Sequence, residues 1–205
     1  MNTKTLLSAG VIAGPLFVIT VVAQMFTRAG FDPKRHPLSL LSLGELGWIQ
    51  ITNFVLCGLL AFVSAFGLRR VLADGRGSKW GPILIGAYGL ALVWGGVFVA
   101  DPIDGYPVGT PLGTDNVQLS WHGILHALAP VVAGIALIAA AVIFARRFAA
   151  EAKRGWMWYT IITLVLYLVL ATASFPLGDF RIQLAGGAAL WIWVSLITAH
   201  YTPRP

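Results

Sequence analysis

Residues 101–126, DPIDGYPVGTPLGTDNVQLSWHGILH, interrupt a long apolar sequence with the polar insert that decides how the rest is read. The insert carries Asp101, Asp104 and Asp115, three of the eight acidic residues, and His122 and His126, two of the four histidines, without one lysine or arginine. Glycine and proline recur through its first half, which marks turns rather than a helix or strand. On either side lie the uncharged runs GPILIGAYGLALVWGGVFVA (81–100) and LHALAPVVAGIALIAAAVIFA (125–145). A helix crosses a bilayer core with about 20 apolar residues. The insert therefore reads as the connection between two membrane spans at one surface.

Working outward, four more segments have that character, so the expected spans are 6–25, 51–68, 81–100, 125–145, 157–175 and 182–201. With 58% hydrophobic and 11% charged residues and a mean hydropathy of +0.80, the composition is that of a chain solvated by lipid. The expected fold class is all-α, a polytopic six-transmembrane-helix bundle forming a single domain over residues 1–205, since no linker or low-complexity segment divides the 205 residues. The first apolar run exceeds a signal-peptide core and no small-x-small cleavage site follows it, so it is kept as a span.

The net charge of +6 does not indicate nucleic acid, because the cations punctuate apolar segments instead of clustering on a soluble face. They sort by side. Lys4, Arg69, Arg70, Arg76, Lys79, Arg146, Arg147, Lys153, Arg154 and Arg204 make ten on one side, against four, Arg28, Lys34, Arg35 and Arg181, on the other. The positive-inside rule then predicts a multi-pass protein of the plasma membrane with both termini cytoplasmic. Asp32, Glu45, Asp101, Asp104, Asp115 and Asp179 fall outside, and Asp74 and Glu151 inside. Trp48 and Trp121 at outer ends, and Trp80, Trp156 and Trp158 at inner ends, suit the headgroup layer.

The first outer connection, 26–50, contains Pro37 followed by Leu38, Leu40 and Leu41, which predicts a short interfacial or re-entrant helix ending near Gly44. Ala87, Ala91 and Gly95 on the third segment and Ala136 and Ala140 on the fourth lie four apart, a spacing that lets helices approach closely in lipid. Gly14-Pro15 and Ala129-Pro130 are expected kinks. The fifth and sixth spans, joined by only residues 176–181, are expected to be antiparallel neighbours. Cys57 lies within an apolar run and reads as a packed thiol.

The segments RHPLSLLSLGELGWIQITNF (35–54), GLRRVL (67–72), DPIDGYPVGTP (101–111) and WHGILHALAP (121–130), in this order and spacing, resemble the domain of unknown function 998 family of bacterial and archaeal integral membrane proteins. The resemblance spans nearly the whole chain. It implies a six-helix membrane protein and brings no established activity with it.

Polar groups inside a membrane bundle are costly and so become candidates for function. Gln50 and Asn53 share one helix face near the outer surface, as do His122 and His126 on another. With Arg35, His36, Asp101, Asp104, Tyr106 and Trp121 they compose an expected outward-facing polar pocket. Asp101 ends a helix whose dipole disfavours an anion there, so a cationic partner is expected, with Arg35 the first choice because its guanidinium grips a carboxylate bidentately. Asp104, Gly105 and Tyr106 are expected to form a turn.

His122 and His126 have a spacing used by zinc ligands, and Asp101, Asp104 or His36 could complete a tetrahedral set. HGILH lacks the glutamate of the HExxH pattern, so no hydrolase signature supports a metal, and no cofactor is predicted. Haem is disfavoured because two histidines on one helix face cannot ligate opposite sides of an iron. No GxSxG elbow surrounds Ser39, Ser42 or Ser120, and Ser120 reads as a helix N-cap. Two readings of different class remain. The first is a non-enzymatic membrane protein that binds a lipid or small amphiphile, or serves as an accessory or sensor. The second is a membrane-embedded enzyme, metal-dependent or not, acting on a lipid or isoprenoid through His122, His126 and Asp101. Transport is weaker, since no repeat supplies alternating access.

Overall fold

The computed structural model describes residues 1–114 and 119–203. Asp115 and Arg204, which entered the charge sorting, lie outside the described residues. Six α-helices account for most of the chain: α1 (Thr3–Thr27), α2 (Gly47–Val71), α3 (Trp80–Val97), α4 (Trp121–Ala150), α5 (Arg154–Leu177) and α6 (Phe180–His200). All six are long and apolar enough to cross a membrane, and the molecule is a multi-pass, all-helical membrane protein. A five-residue 3-10 turn, η1 (Leu38–Ser42), stands where a short helix was expected, and it tucks Leu40, Leu41 and Ser42 inward.

Each helix packs on its neighbours in sequence, and α6 closes on α1, so the six form a ring. One end of the ring carries the two long connections, 28–46 and 98–120, and is called here the loop end. The α5–α6 joint at 178–179 lies at the same end; the other end, with the connections 72–79 and 151–153 and both chain termini, is the termini end.

Small residues set the closest crossings. Gly58 on α2 and Gly89 on α3 face each other so closely that a Cβ on either would lie 2.5 Å from the other's carbonyl oxygen. In lipid, where apolar burial gives no drive to associate, such backbone approach is what holds helices together. On α1, the Ser195 hydroxyl accepts from Gly14 N–H (3.0 Å) and donates to the Gly10 carbonyl (2.8 Å). An α-helix would join that pair directly, so α6 repairs the ladder of α1 next to Pro15. Burial is uneven: 56% of the apolar window of α3 lies inside the bundle against 17% for α5. The fifth helix is mostly a lipid-facing wall.

Most helices run a few residues past the expected spans, and two boundaries by the polar insert differ for a local reason. The α3 helix stops at Val97, short of residue 100, and α4 starts at Trp121, ahead of residue 125. Side-chain caps described below cause both. The α5 helix runs through Pro176 to Leu177, and Gly178, at φ 57°, ends it in the left-handed conformation that glycine adopts without a Cβ penalty. The connection to α6 is therefore shorter than residues 176–181.

Candidate functional site

The α4 helix begins where Ser120 caps it, its Oγ accepting from Gly123 N–H (3.0 Å). Asp101 completes this cap: its carboxylate accepts from Ser120 N–H (2.8 Å) and from Ser120 Oγ–H (2.6 Å). A Cβ at position 123 would run into that carboxylate, so only glycine lets the anion reach the helix start. This corrects the expected pairing of Asp101 with Arg35. The carboxylate turns away from the end of α3 and settles on the N-terminus of α4, where free N–H groups and the dipole favour a negative charge.

The two histidines of α4 serve the other half of this junction. His122 Nδ1 lies 2.9 Å from the Val99 carbonyl. His126 Nδ1 lies 2.7 Å from the Phe98 carbonyl and 3.1 Å from that of Gly95. Carbonyl oxygens only accept, so both Nδ1 atoms carry protons; His126 caps the end of α3, whose last carbonyls have no donor within their own helix, and His122 holds the Val99 carbonyl just beyond it. The pair spaced like metal ligands is thus a pair of donors to backbone carbonyls. His122 also approaches Asp101 Oδ1 at 3.9 Å, but among the described residues no three His, Cys, Asp or Glu side chains converge as metal ligands.

Arg35 binds the other aspartate of the insert. Its Nε and Nη2 donate to Asp104 Oδ2 (3.1 Å) and Oδ1 (2.5 Å), a bidentate grip, and Gly113 N–H adds a third bond to Oδ1 (3.0 Å). The guanidinium, followed by the Gly113 N–H, holds the Asp104 carboxyl below its ordinary value of 3.8. Asp104 (φ 51°) and Gly105 (φ 85°) form the expected turn, an Asp-Gly pair of the type that joins hairpins, with Ile103 and Tyr106 exchanging backbone bonds.

His36 is locked beside it. Its Nδ1 accepts from Asp32 N–H (2.9 Å), which leaves Nε2–H to donate to the Asp104 carbonyl (2.9 Å), while Phe31 and Tyr106 pack around the ring. Tyr106, 2% exposed, belongs to a small core of its own with Leu40 and Ala100. The two long connections therefore form one roof over the loop end.

Gln50 and Asn53 are buried, but they face α1. Gln50 Oε1 accepts from Gln24 Nε2 (2.7 Å), and Asn53 Nδ2 donates to the Phe17 carbonyl (3.2 Å). Arg28 extends this seam. It is buried, donates to the Leu46 carbonyl (2.7 Å) and to that of Leu43, and so fastens the descending arm of the roof to α1. Trp121 is 69% exposed and points away from the ring.

A cavity lies elsewhere, beneath Pro37, Leu38 and Ser39 and between α3, α4, α5 and α6, with Phe54 of α2 at its side. Its volume is about 310 Å³, and its wall is mainly apolar: Ala91, Leu92, Ala129, Ala133, Leu137, Leu190 and Trp191. Of the ten residues expected to line a pocket, His126 alone lines this cavity, and His36 lines a much smaller one beside Phe31 and Phe180; Tyr167 and Gln183 add polar groups that sequence reasoning missed. Gln183, an amide inside an apolar span, carried the signal that any polar group at membrane depth carries. Nothing comparable marked Tyr167, whose role depends on which way α5 turns.

Neither a curated protein nor a solved structure matches the chain. The model of the family described as protein of unknown function (DUF998) matches residues 11–200, most of the length, and the chain belongs to that family.

Proposed function

We propose that the protein binds a lipid or small amphiphile in the cavity under the roof, as a non-enzymatic accessory or sensor of the plasma membrane. The observation that carries this reading is the cavity itself: about 310 Å³ inside a ring of membrane-crossing helices, mainly apolar along its walls, with Ser39, His126, Tyr167 and Gln183 among its polar groups and, among the described residues, no Lys, Arg, Asp or Glu in its lining. Pockets for small ligands have this character, an apolar body with a few placed polar groups, and this one lies at the small end of their size range. On the charge sorting, both termini face the cytoplasm and the roof lies at the outer surface, with η1 at the interface. Anionic membrane lipids are then the natural neighbours of the exposed Arg69, Arg70 and Arg146.

The enzymatic alternative draws no support from the geometry, because both histidines spend Nδ1 on backbone carbonyls and Asp101 is spent on a helix cap. A test is lipid extraction from the purified chain and from Ala133→Phe, which fills the cavity with a ring. The parent should release an amphiphile in near-stoichiometric amount and the variant several-fold less, at unchanged thermal stability. Equal lipid content in both proteins sinks the reading.

A further inference from the structure

We infer that the occupant of this cavity is an uncharged amphiphile bearing a hydroxyl group, which it donates to Nε2 of His126. This rests on the reading of the cavity as an amphiphile site and names the chemical class it takes.

The argument starts from the proton on the ring. His126 Nδ1 faces two carbonyl oxygens, those of Phe98 and Gly95, and must be the protonated nitrogen. In a neutral imidazole the other nitrogen is then an acceptor and nothing else. His126 is 6% exposed and lines the cavity, and among the described residues no donor reaches Nε2. Nε2 is not sealed inside the protein; it is an acceptor that no protein group satisfies, and a hydroxyl entering the cavity can bond it.

A second acceptor lies on the same residue. Pro130, four residues on and also in the cavity wall, has no N–H to give the His126 carbonyl its helical partner. The turn of α4 before Pro130 thus carries a carbonyl without its helical donor next to the ring acceptor.

Charge decides between classes of lipid. A carboxylate or phosphate would meet donors in Ser39, Tyr167 and Gln183, but among the described residues no lysine or arginine in the lining would neutralise its charge. An ammonium would find no carboxylate there either. Burying an unpaired charge at membrane depth costs more than one hydrogen bond returns. A hydroxyl at the head of an apolar chain satisfies Nε2 at no such cost, and the chain follows the apolar walls past Leu137 and Trp191. Fatty alcohols, isoprenoid alcohols and glycerides all present this group.

The test compares three probes of one chain length, dodecanol, its methyl ether and dodecanoate, on the full chain in nanodiscs at mildly alkaline pH. Apparent affinities come from the rise in Tm with probe mole fraction. The methyl ether keeps the oxygen and removes only the donor. Dodecanol should bind up to about tenfold more tightly than the ether, the upper range for one net hydrogen bond, and more tightly than dodecanoate. In His126→Asn, whose amide N–H can still cap Phe98, the preference for dodecanol over the ether should shrink to within about twofold. Equal binding of dodecanol and ether to the parent, or tighter dodecanoate, overturns the inference while leaving the amphiphile site intact. If none of the three shifts Tm, the amphiphile reading falls and this inference with it. The parent protein alone decides these outcomes should the variant fail to fold.

Discussion

The two ends of the ring are closed in opposite ways. At the termini end the helices close on themselves with aromatic rings: Phe148 stacks on Tyr201 with centroids 6.1 Å apart and planes 10° from parallel, and on Trp156 at 5.8 Å. Arg147 and Lys153 share Glu151 at 2.6 and 2.7 Å and lie over the Tyr201 ring. The loop end is closed differently. Closure falls to two connections tied by Arg35 to Asp104, His36 to the Asp104 carbonyl and Arg28 to the Leu43 and Leu46 carbonyls. Rings fill the space they close, whereas a strapped loop spans space and leaves it open below. The cavity lies under the end closed by straps.

If filling against strapping is the right contrast, removing a filler should cost far more than removing a strap. Phe148 is fully buried. Phe148→Ala should destabilise the protein by on the order of 3 kcal/mol, mostly through the void left behind, because lipid supplies little of the usual transfer term. Leu38→Ala, which trims the wall of an existing cavity, should cost less than about 1 kcal/mol, since it opens no new void. Thermal unfolding in nanodiscs measures both, and similar losses would break the comparison.

The junction of α3 and α4, rooted under the roof, should fall between these. Gly123→Ala pushes a methyl group into the Asp101 carboxylate and breaks the cap at Ser120, a loss of about 1–2 kcal/mol. Because both residues act through one contact, the double variant with Asp101→Ala should lose clearly less than the two single losses combined. Additive losses would mean that Gly123 matters for some other reason.

How much of this was legible depends on what each residue answers to. The spans were readable because lipid imposes a length and a composition on every crossing helix. Ser120 was readable as a cap, and Asp104-Gly105 as a turn, because both are local. The partners of Asp101, His122 and His126 were not, since each depends on the end of α3 lying against the start of α4. Helix spacing puts the two histidines on one face but cannot say that the face meets backbone carbonyls. The cavity was least legible. Much of its wall is alanine, leucine and glycine drawn from several helices, residues that look the same whether they pack or leave room.

The smallest effect belongs to the strap between Arg35 and Asp104, and pH can isolate it. Asp104 has its carboxyl held below the ordinary 3.8 by the Arg35 guanidinium first and the Gly113 N–H second. A group whose value is depressed by folding stabilises the fold fully above the ordinary value and loses that contribution as pH falls through the depressed one. At neutral pH the strap is therefore intact, and strongly acid conditions release it. Arg35 is about half exposed, so solvent screens the pair and its contribution to Tm is slight. Asp104→Asn should lower Tm by a degree or two at neutral pH, and the curves of parent and variant should converge as pH drops below the carboxylate range. A constant offset at all pH values would show that the roof depends on the shape of residue 104 rather than its charge. Convergence, together with faster exchange of a cavity-bound probe in Asp104→Asn at neutral pH, would place the strap in control of the opening without a part in holding up the ring.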